Sequence, residues 1–412
     1  MPDLNPTMSE PEQSTAAALA AAIEAHQAGR YPQAETLYRA WLDEHPADCD
    51  GLHFLGMLRF QQGRAAEAVD LIRQSLQTDP RNAHAWNNLG NILFVMNRQE
   101  VAAEAYLHAL ELDISLAAPW KNLGECLERA GSPERAISLF RHIIETVPGF
   151  VPAYEALGRL LRVFGRKEEA IAVYRRWVEL DPDRHTARHL LAAVTGENVP
   201  ERASDAYMRE LFDGFAEEFD SKLARLDYKA PSLVCAALER VLGTSRKDLR
   251  ILDAGCGTGL SAPLLRPLAS ELIGIDLSAG MLTKAQQRGG YDRLEQAELT
   301  AYLRGNAGRF DVVTCVDTLC YFGALEEAFT AVRHALTPGG LFAFSVERTT
   351  GADESHYRME HHGRYQHARN YVNRALEQAG LTVLHLEEEV LRLEVFRDVP
   401  GLVVVAEPRR GS

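Results

Sequence analysis

Asp253-Ala-Gly-Cys-Gly-Thr-Gly259 carries the clearest chemical signal in this chain of 412 residues. An apolar run reaches Asp253, and glycines then alternate at 255, 257 and 259. Residues without a Cβ let backbone approach a bulky ligand, and a buried strand that turns into a helix is the usual setting. The obvious rival is a dinucleotide site, but its fingerprint is GxGxxG/A, and Gly259 is followed by Leu260. A carboxylate at the mouth of the turn also suits a cation and repels a pyrophosphate. A second carboxylate, Asp276, ends the next apolar run in LIGIDLSAGML. An acid about 20 residues past a glycine turn is placed to accept hydrogen bonds from ribose hydroxyls. The ligand wanted is a nucleoside that carries positive charge.

S-adenosylmethionine, with its ammonium and sulfonium, meets that description, whereas NAD carries two phosphates. The elements that must position such a site alternate between strand and helix patterns, which predicts a parallel sheet covered by helices. Leu249–Ala254, Leu272–Asp276, Phe310–Cys315 and Leu341–Val346 read as four successive strands. Helices start near Leu260, Met281 and Leu325. Thr382–Leu386 and Leu402–Ala406 read as an antiparallel pair at the sheet edge.

Together DAGCGTG and GIDLSAGML resemble motifs I and II of class I S-adenosylmethionine-dependent methyltransferases, and PGGLFAFSVE resembles their strand-five motif. The resemblance covers about Leu211 to Ala406. It implies Asp253, Gly255, Cys256, Gly257 and Gly259 at the methionine end, Asp276 on the ribose, and Leu277 and Met281 near the adenine. Glu298 takes the place of the family's adenine-contacting acid, where Asp is commoner, and Asp317 lies beside the methionine moiety. FDGFAEEFD, Phe212–Asp220, resembles the FxxxAxxYD lead helix, with Phe219 in place of tyrosine.

Methyl transfer is an in-line displacement, so holding donor and acceptor in line does most of the work. A base is needed only where the acceptor must lose a proton. Tyr321, Glu347 and Asp317 stand at carboxyl ends of strands, where open α/β sheets bind ligands. Glu347 is the prime candidate, with a solvated strand-end carboxylate as the alternative. The stretch ERTTGADESHYRMEHHGRYQHARNYV holds His356, His361, His362 and His367 without HxxxH or CxxC spacing. It reads as a substrate-covering loop and not as a metal site. Its GRYQH resembles a stretch shared by bacterial methyltransferases fused to helical repeats.

The first half repeats every 34 residues. Pro46, Pro80, Pro148 and Pro182 share one grid, as do Gly29, Gly63, Asn97, Gly131 and Gly165. Ala34, Ala68, Ala102, Ala136 and Ala170 share another, and Leu-Gly recurs at 55, 89, 123 and 157. Two helices per repeat meet where Gly and Ala let backbones approach, and proline stops the second helix. This resembles the tetratricopeptide repeat, in five copies and a capping helix over 15–195. Residues 1–14 read as a disordered tail, 196–204 (GENVPERAS) as a linker, and 205–412 as the methyltransferase domain. Asn88 and Asn122, at equivalent positions in WNNLGN and WKNLGE, resemble the asparagine ladder that grips peptide backbone in the repeats of O-linked N-acetylglucosamine transferase. The alternative is two polar residues on a helix face.

The fold expected is therefore an all-α tetratricopeptide solenoid followed by a Rossmann-like, doubly wound α/β domain with an antiparallel last strand. Formal charge is −14, with 27 acidic against 19 basic side chains up to residue 200 and 31 against 25 beyond. Neither half has the basic stripe of a phosphate-tracking protein, which argues against nucleic acid. No run of 18 apolar residues occurs and the start is polar, so no membrane span or signal peptide is expected. Six cysteines without a CxxC pair fit a reducing cytoplasm. Three functions compete: methylation of a protein or peptide docked on the repeats, methylation of a small or carrier-bound molecule with the repeats as scaffold, and a non-catalytic interaction protein. The joint presence of Asp253, the glycines and Asp276 disfavours the third.

Overall fold

The computed structural model describes residues 10–116, 118–120, 122, 123, 126, 133–243, 246–350, 356–394 and 397–409. It divides into two compact units, Met1–Arg166 and Lys167–Ser412. Most of the tail expected over 1–14 lies outside the described residues, although a helix begins at Glu10.

In the first unit Tyr31–Glu44, Cys49–Gln61, Ala65–Thr78, Ala83–Val95 and Gln99–Leu112 are successive helices, with Glu134–Thr146 and Val151–Val163 beyond. The 34-residue grid has direct physical causes. Asp48 and Asn82, one repeat apart, cap their helices by accepting from Gly51 N at 2.6 Å and Ala85 N at 2.9 Å. Gly29, Gly63 and Asn97 have φ of 73°, 79° and 60°, the left-handed turn between paired helices, which Gly and Asn tolerate best. At Gly56 an added Cβ would lie 2.8 Å from Ile72, and at Gly90 2.6 Å from the Tyr106 ring. The small residues thus set the interhelix distance. Ala68, Ile72, Ala102 and Tyr106 are fully buried in these seams.

The second unit is built on a nine-stranded sheet. Its strands are β1 Leu249–Ala254, β2 Ala269–Asp276, β3 Arg293–Gln296, β4 Phe310–Cys315, β5 Leu336–Arg348, β6 Tyr357–Met359, β7 Tyr365–His367, β8 Leu381–Glu394 and β9 Arg397–Pro408. The order β3-β2-β1-β4-β5 is parallel throughout. β9 runs antiparallel to β5, with Phe342 opposite Ala406, and β8 antiparallel to β9. Alternation along β1 sends Ile251 to one face and Leu252 to the other. Ile251 packs with Leu272, Val312 and the helix Ala230–Leu242. Leu252 packs with Ile273, Val313, Phe344 and the helices Glu326–Ala335 and Arg369–Gln378. Both faces are covered, which is why β1 and β4 are near-continuous apolar runs. Among the described residues no helix is long and apolar enough to cross a membrane.

Two features differ from the sequence reading. The boundary between units falls before Lys167, so the helices Lys167–Leu180 and His185–Thr195 belong with the sheet. Thr186 donates to Glu210 Oε2 from both its backbone N and its hydroxyl, at 3.2 and 2.8 Å. The His189 ring stacks on Tyr207 with centroids 3.9 Å apart, and His189 Nε2 donates to the Gly363 carbonyl at 2.8 Å. The segment 196–204 is likewise bound and not a free linker. Gly323 N and Ala324 N donate to Glu201 O, Ala203 N donates to Tyr321 O, and the Tyr365 hydroxyl donates to Pro200 O at 2.6 Å.

Replacing His189 with Ala leaves the buried Gly363 carbonyl without its donor, a loss of about 1–3 kcal/mol. Hydrogen exchange of the 363–367 amides in the full chain should quicken by about ten-fold or more. Unchanged protection would show that this helix does not hold the β6–β7 hairpin.

Candidate functional site: a glycine turn beside a buried ion cluster

The turn after β1 uses its three glycines for three reasons. Their φ values are 79°, 55° and 83° at Gly255, Gly257 and Gly259. A Cβ on Gly255 would lie 2.3 Å from Thr318 Oγ1, and one on Gly259 3.1 Å from the Tyr291 ring. A Cβ on Gly257 would meet nothing within 4 Å. Gly255 and Gly259 are therefore packed against protein, while Gly257 faces open space, the place where a ligand approaches backbone.

Asp276, half-buried at the end of β2, accepts from Gly257 N and Ser278 N, each at 2.9 Å. Burial pushes its carboxyl above the ordinary value, against the pull of these backbone donors. Met281 is buried at the first turn of the helix Ala279–Arg288, which Ser278 caps, and Leu277 is half-buried beside it. Cys256 is buried under the turn, and burial pushes its thiol well up.

Asp253 does not stand at the mouth. It is 1% exposed and accepts from the Tyr291 hydroxyl at 2.7 Å and the Thr314 hydroxyl at 2.9 Å. Its side chain lies beneath the turn, so it fixes the floor of the site. Burial raises its pKa to about 6. Glu298 has a structural task that the sequence did not signal. Its carboxylate caps the helix Leu299–Arg304, accepting from Thr300 N at 3.0 Å and Ala301 N at 2.7 Å.

The lead segment is two helices, Asp205–Asp213 and Phe219–Ala224, broken near Gly214. Its acids tie it to the turn: Ser278 Oγ and Thr258 Oγ1 donate to Asp213 and Asp220, each at 2.5 Å. Phe212 packs edge-on against Tyr321 at 5.4 Å. The sequence pattern flagged the aromatics, whereas the acids do the docking.

At the ends of β4 and β5 lies a cluster that sequence reasoning missed. Glu347, 1% exposed, takes Arg364 Nε at 2.6 Å and a still shorter bond from Arg392. Arg392 Nη1 meets both oxygens of Asp317 at 2.9 Å, and Arg392 Nε meets Glu394 Oε1 at 2.7 Å. Arg364 Nη2 bonds both oxygens of Glu394. Glu347 is thus neither solvated nor a free base. Burial would push its carboxyl up, but the guanidiniums of Arg364 and Arg392 outweigh it and hold it below the ordinary value. Burial pushes Asp317 above the ordinary value despite Arg392, and Asp317 adopts a φ of 53°. Burial also pushes the Tyr321 phenol well up. A bulge in β8 between Val390 and Arg392 turns Leu391 and Arg392 both inward. Such a bulge re-aims a side chain without an obvious sequence mark.

Among the described residues, no histidine of the insert falls in a group of side chains close enough to share an ion. Residues 351–355 lie outside the described residues, and 357–367 form the β6–β7 hairpin paired to the end of β5. His367 is buried, with Nε2 donating to Phe322 O at 2.8 Å. Asp317, Cys320 and Glu347 are close enough to share an ion, but Arg392 already bridges the two acids.

A family model described as a methyltransferase domain matches residues 226–386, and tetratricopeptide-repeat models match 55–117 and 151–194. A malonyl-[acyl-carrier protein] O-methyltransferase of Geobacter sulfurreducens is 31% identical over 197 residues, covering 43% of this chain and 73% of that protein. The chain belongs to the class I S-adenosylmethionine-dependent methyltransferases. Human Methyltransferase-like protein 27 is 35% identical over 172 residues, 41% of this chain and 66% of that protein. The chain spans between 27% and 66% of the length of three of the curated relatives it matches. A solved 1,6-didemethyltoxoflavin-N1-methyltransferase of Burkholderia thailandensis is 20% identical, with a TM-score of 0.41, covering 52% of this chain and 93% of that one.

This methyltransferase uses S-adenosylmethionine, and the open face of Gly257 beside the Asp276 carboxylate fits that molecule. Gly257→Ala should keep the fold at a cost of about 1 kcal/mol of left-handed strain, yet abolish binding of S-adenosylhomocysteine in calorimetry. Gly255→Ala should instead lower the melting temperature, because Thr318 must move. Equal effects at both positions would refute the assignment of the open side.

Asp253 gives a pH test. Its folded pKa of about 6 exceeds the ordinary 3.8, so its stabilisation is full below pH 3.8 and is lost as pH rises through about 6. Asp253→Asn should gain up to about 3 kcal/mol on wild type between pH 4 and pH 8. Urea unfolding across that range measures the difference, and a constant difference would refute the raised pKa.

Proposed function

We propose that this methyltransferase acts on a protein or peptide recruited by its repeats. The observation that carries the reading is the junction at His189. The repeat matched over 151–194 ends in the helix that holds Gly363 of the β6–β7 hairpin, the residue next to Arg364 of the ion cluster. Stacked repeats present extended binding surfaces, and the last of them is bound to the acceptor end of the sheet. The carrier-linked acceptor named for the Geobacter relative favours a second reading, a small carrier-bound acceptor with the repeats as scaffold.

When bound, S-adenosylmethionine supplies a methyl group already activated on a sulfonium. Asp276 would accept from its ribose hydroxyls, Gly257 would admit it to the backbone, and Leu277 and Met281 would border the adenine. Asp213 and Asp220 hold the lead segment against the turn, where Phe212 and Tyr321 exclude water from the acceptor side. Asp317, beside Thr318 against Gly255, is placed near the methionine end. Each is a positioning task, which suits a reaction whose barrier falls chiefly through alignment.

Asn88 and Asn122 need a revised account. Asn88 Nδ2 lies 2.9 Å from His53 Nε2, and Asn122 Nδ2 donates to Asn91 Oδ1 at 3.1 Å. Each amide also reaches into the preceding repeat, so substitution touches stability as well as any bound peptide.

Two outcomes are expected in the full chain. Asp276→Ala should weaken S-adenosylhomocysteine binding by about 1–3 kcal/mol, the effect of leaving hydroxyl donors unpaired; unchanged affinity would remove the ribose assignment. Asn88→Ala with Asn122→Ala should destabilise the repeats by about 0.5–1.5 kcal/mol per lost bond. It should also cut methyl-tritium labelling of lysate protein about ten-fold, with cofactor affinity unmoved. Undiminished protein labelling, or label confined to small solutes, shifts the function to the carrier-bound reading.

A further inference from the structure

Within the ion cluster the three carboxylates are not used alike. Arg364 Nε and Arg392 Nη2 both donate to Glu347 Oε1. Glu347 Oε2 accepts no hydrogen bond from the described residues, and it is not among the polar atoms sealed away from solvent without a partner. Glu394 has both oxygens engaged, Oε1 by Arg392 and Arg364 and Oε2 by Arg364. Asp317 has both engaged by Arg392. Three carboxylates face two guanidiniums, with His362 close enough to act on Glu347 as well. The oxygen that neither guanidinium engages is Glu347 Oε2. The cluster adjoins the glycine turn, because Thr318, next to Asp317, lies with Oγ1 3.3 Å from the carbonyls of Ala254 and Gly255.

We propose that the methyl acceptor is an amine whose N–H donates to Glu347 Oε2. The inference rests on the methyltransferase reading and names its substrate class. A hydroxyl, thiol or carbon acid must lose a proton before or during attack. Glu347 is a poor recipient, held anionic by two guanidiniums, and burial keeps the Tyr321 phenol from ionising. A neutral amine needs no base, because it attacks with its own lone pair. The new N–C bond forms as the C–S bond breaks, its electron pair stays on sulfur, and the sulfonium becomes a thioether. Nitrogen takes up the positive charge and afterwards releases a proton to water. That charge grows in the transition state, where a fixed carboxylate is worth most. A carboxylate acceptor would bring a fourth carboxylate against Glu347 Oε2, where an N–H donor would be attracted. This separates the chain from its malonyl-named relatives.

The test uses the full-length protein with methyl-tritiated S-adenosylmethionine and a desalted lysate of the source organism as probe. The expected product keeps its label through alkali and, after acid hydrolysis, binds a cation exchanger as an N-methyl amine. Tritiated methanol released by alkali marks a methyl ester and overturns the proposal. So does alkali-stable label that runs uncharged. Glu347→Gln, which keeps the shape and removes the charge, should lower labelling roughly a hundred-fold. S-adenosylhomocysteine affinity, read by calorimetry, should stay within about two-fold. Glu388→Gln, an exposed carboxylate of β8 outside the cluster, should retain most of the labelling. Full labelling by Glu347→Gln, or equal loss in both variants, overturns the role of Oε2. The product analysis needs no variant, so misfolding of Glu347→Gln leaves the proposal open to refutation. Absence of any label overturns the amine; absence of S-adenosylhomocysteine binding as well would overturn the cofactor reading beneath it.

Discussion

Two guanidiniums buried among three carboxylates hold four separate stretches of chain together at the end of the central strands. Asp317 comes from the loop after β4, Glu347 from the end of β5, Arg364 from the β6–β7 hairpin, and Arg392 and Glu394 from β8. Moving such charges out of water is expensive, and their mutual attraction repays it only when every partner is in place. Loss of one member strands the others, at about 3–5 kcal/mol. The network therefore acts less as glue than as a register mark. It permits one arrangement of loop, hairpin and edge strand.

The glycine turn is held by a different constraint, the close approach of side chains to its backbone. Gly255 is pressed by Thr318 and Gly259 by Tyr291, while Gly257 alone is left facing outward. Tyr291 also donates to Asp253, so one side chain closes the turn and satisfies the buried acid beneath it. Cluster and turn meet at residues 317 and 318, where one loop contributes Asp317 to the first and Thr318 to the second.

Much of this was legible in the sequence where a single physical rule governs. The 34-residue grid follows from helix contacts that demand Gly and Ala, and the spans of β1 and β4 follow from burial on both faces. β3 (Arg293–Gln296) escaped because four half-exposed residues carry no apolar run. Arg392 escaped because a bulge breaks the alternation that would have placed it outside. The partners of Asp253 and Glu298 were illegible for a shared reason. Residue type signals a carboxylate, but its direction depends on neighbours distant in sequence (Tyr291 and Thr314) or on a helix start that periodicity locates poorly. The contacts of 196–204 escaped because GENVPERAS is polar and proline-bearing, like a linker, yet its backbone groups are bound to the loop at 321–324.

Gly363 sits with φ of 89°, and a Cβ there would come within 3.0 Å of the His189 ring. The contact is therefore a shape match between the helix His185–Thr195 and the β6–β7 hairpin, made at a point where neither surface can change alone. Recombination that swapped the array at the polar segment would sever it. Recombination before Lys167 would carry the matched helices along with the sheet. Chimaeras built to redirect such an enzyme should therefore keep the helices Lys167–Leu180 and His185–Thr195 with the sheet.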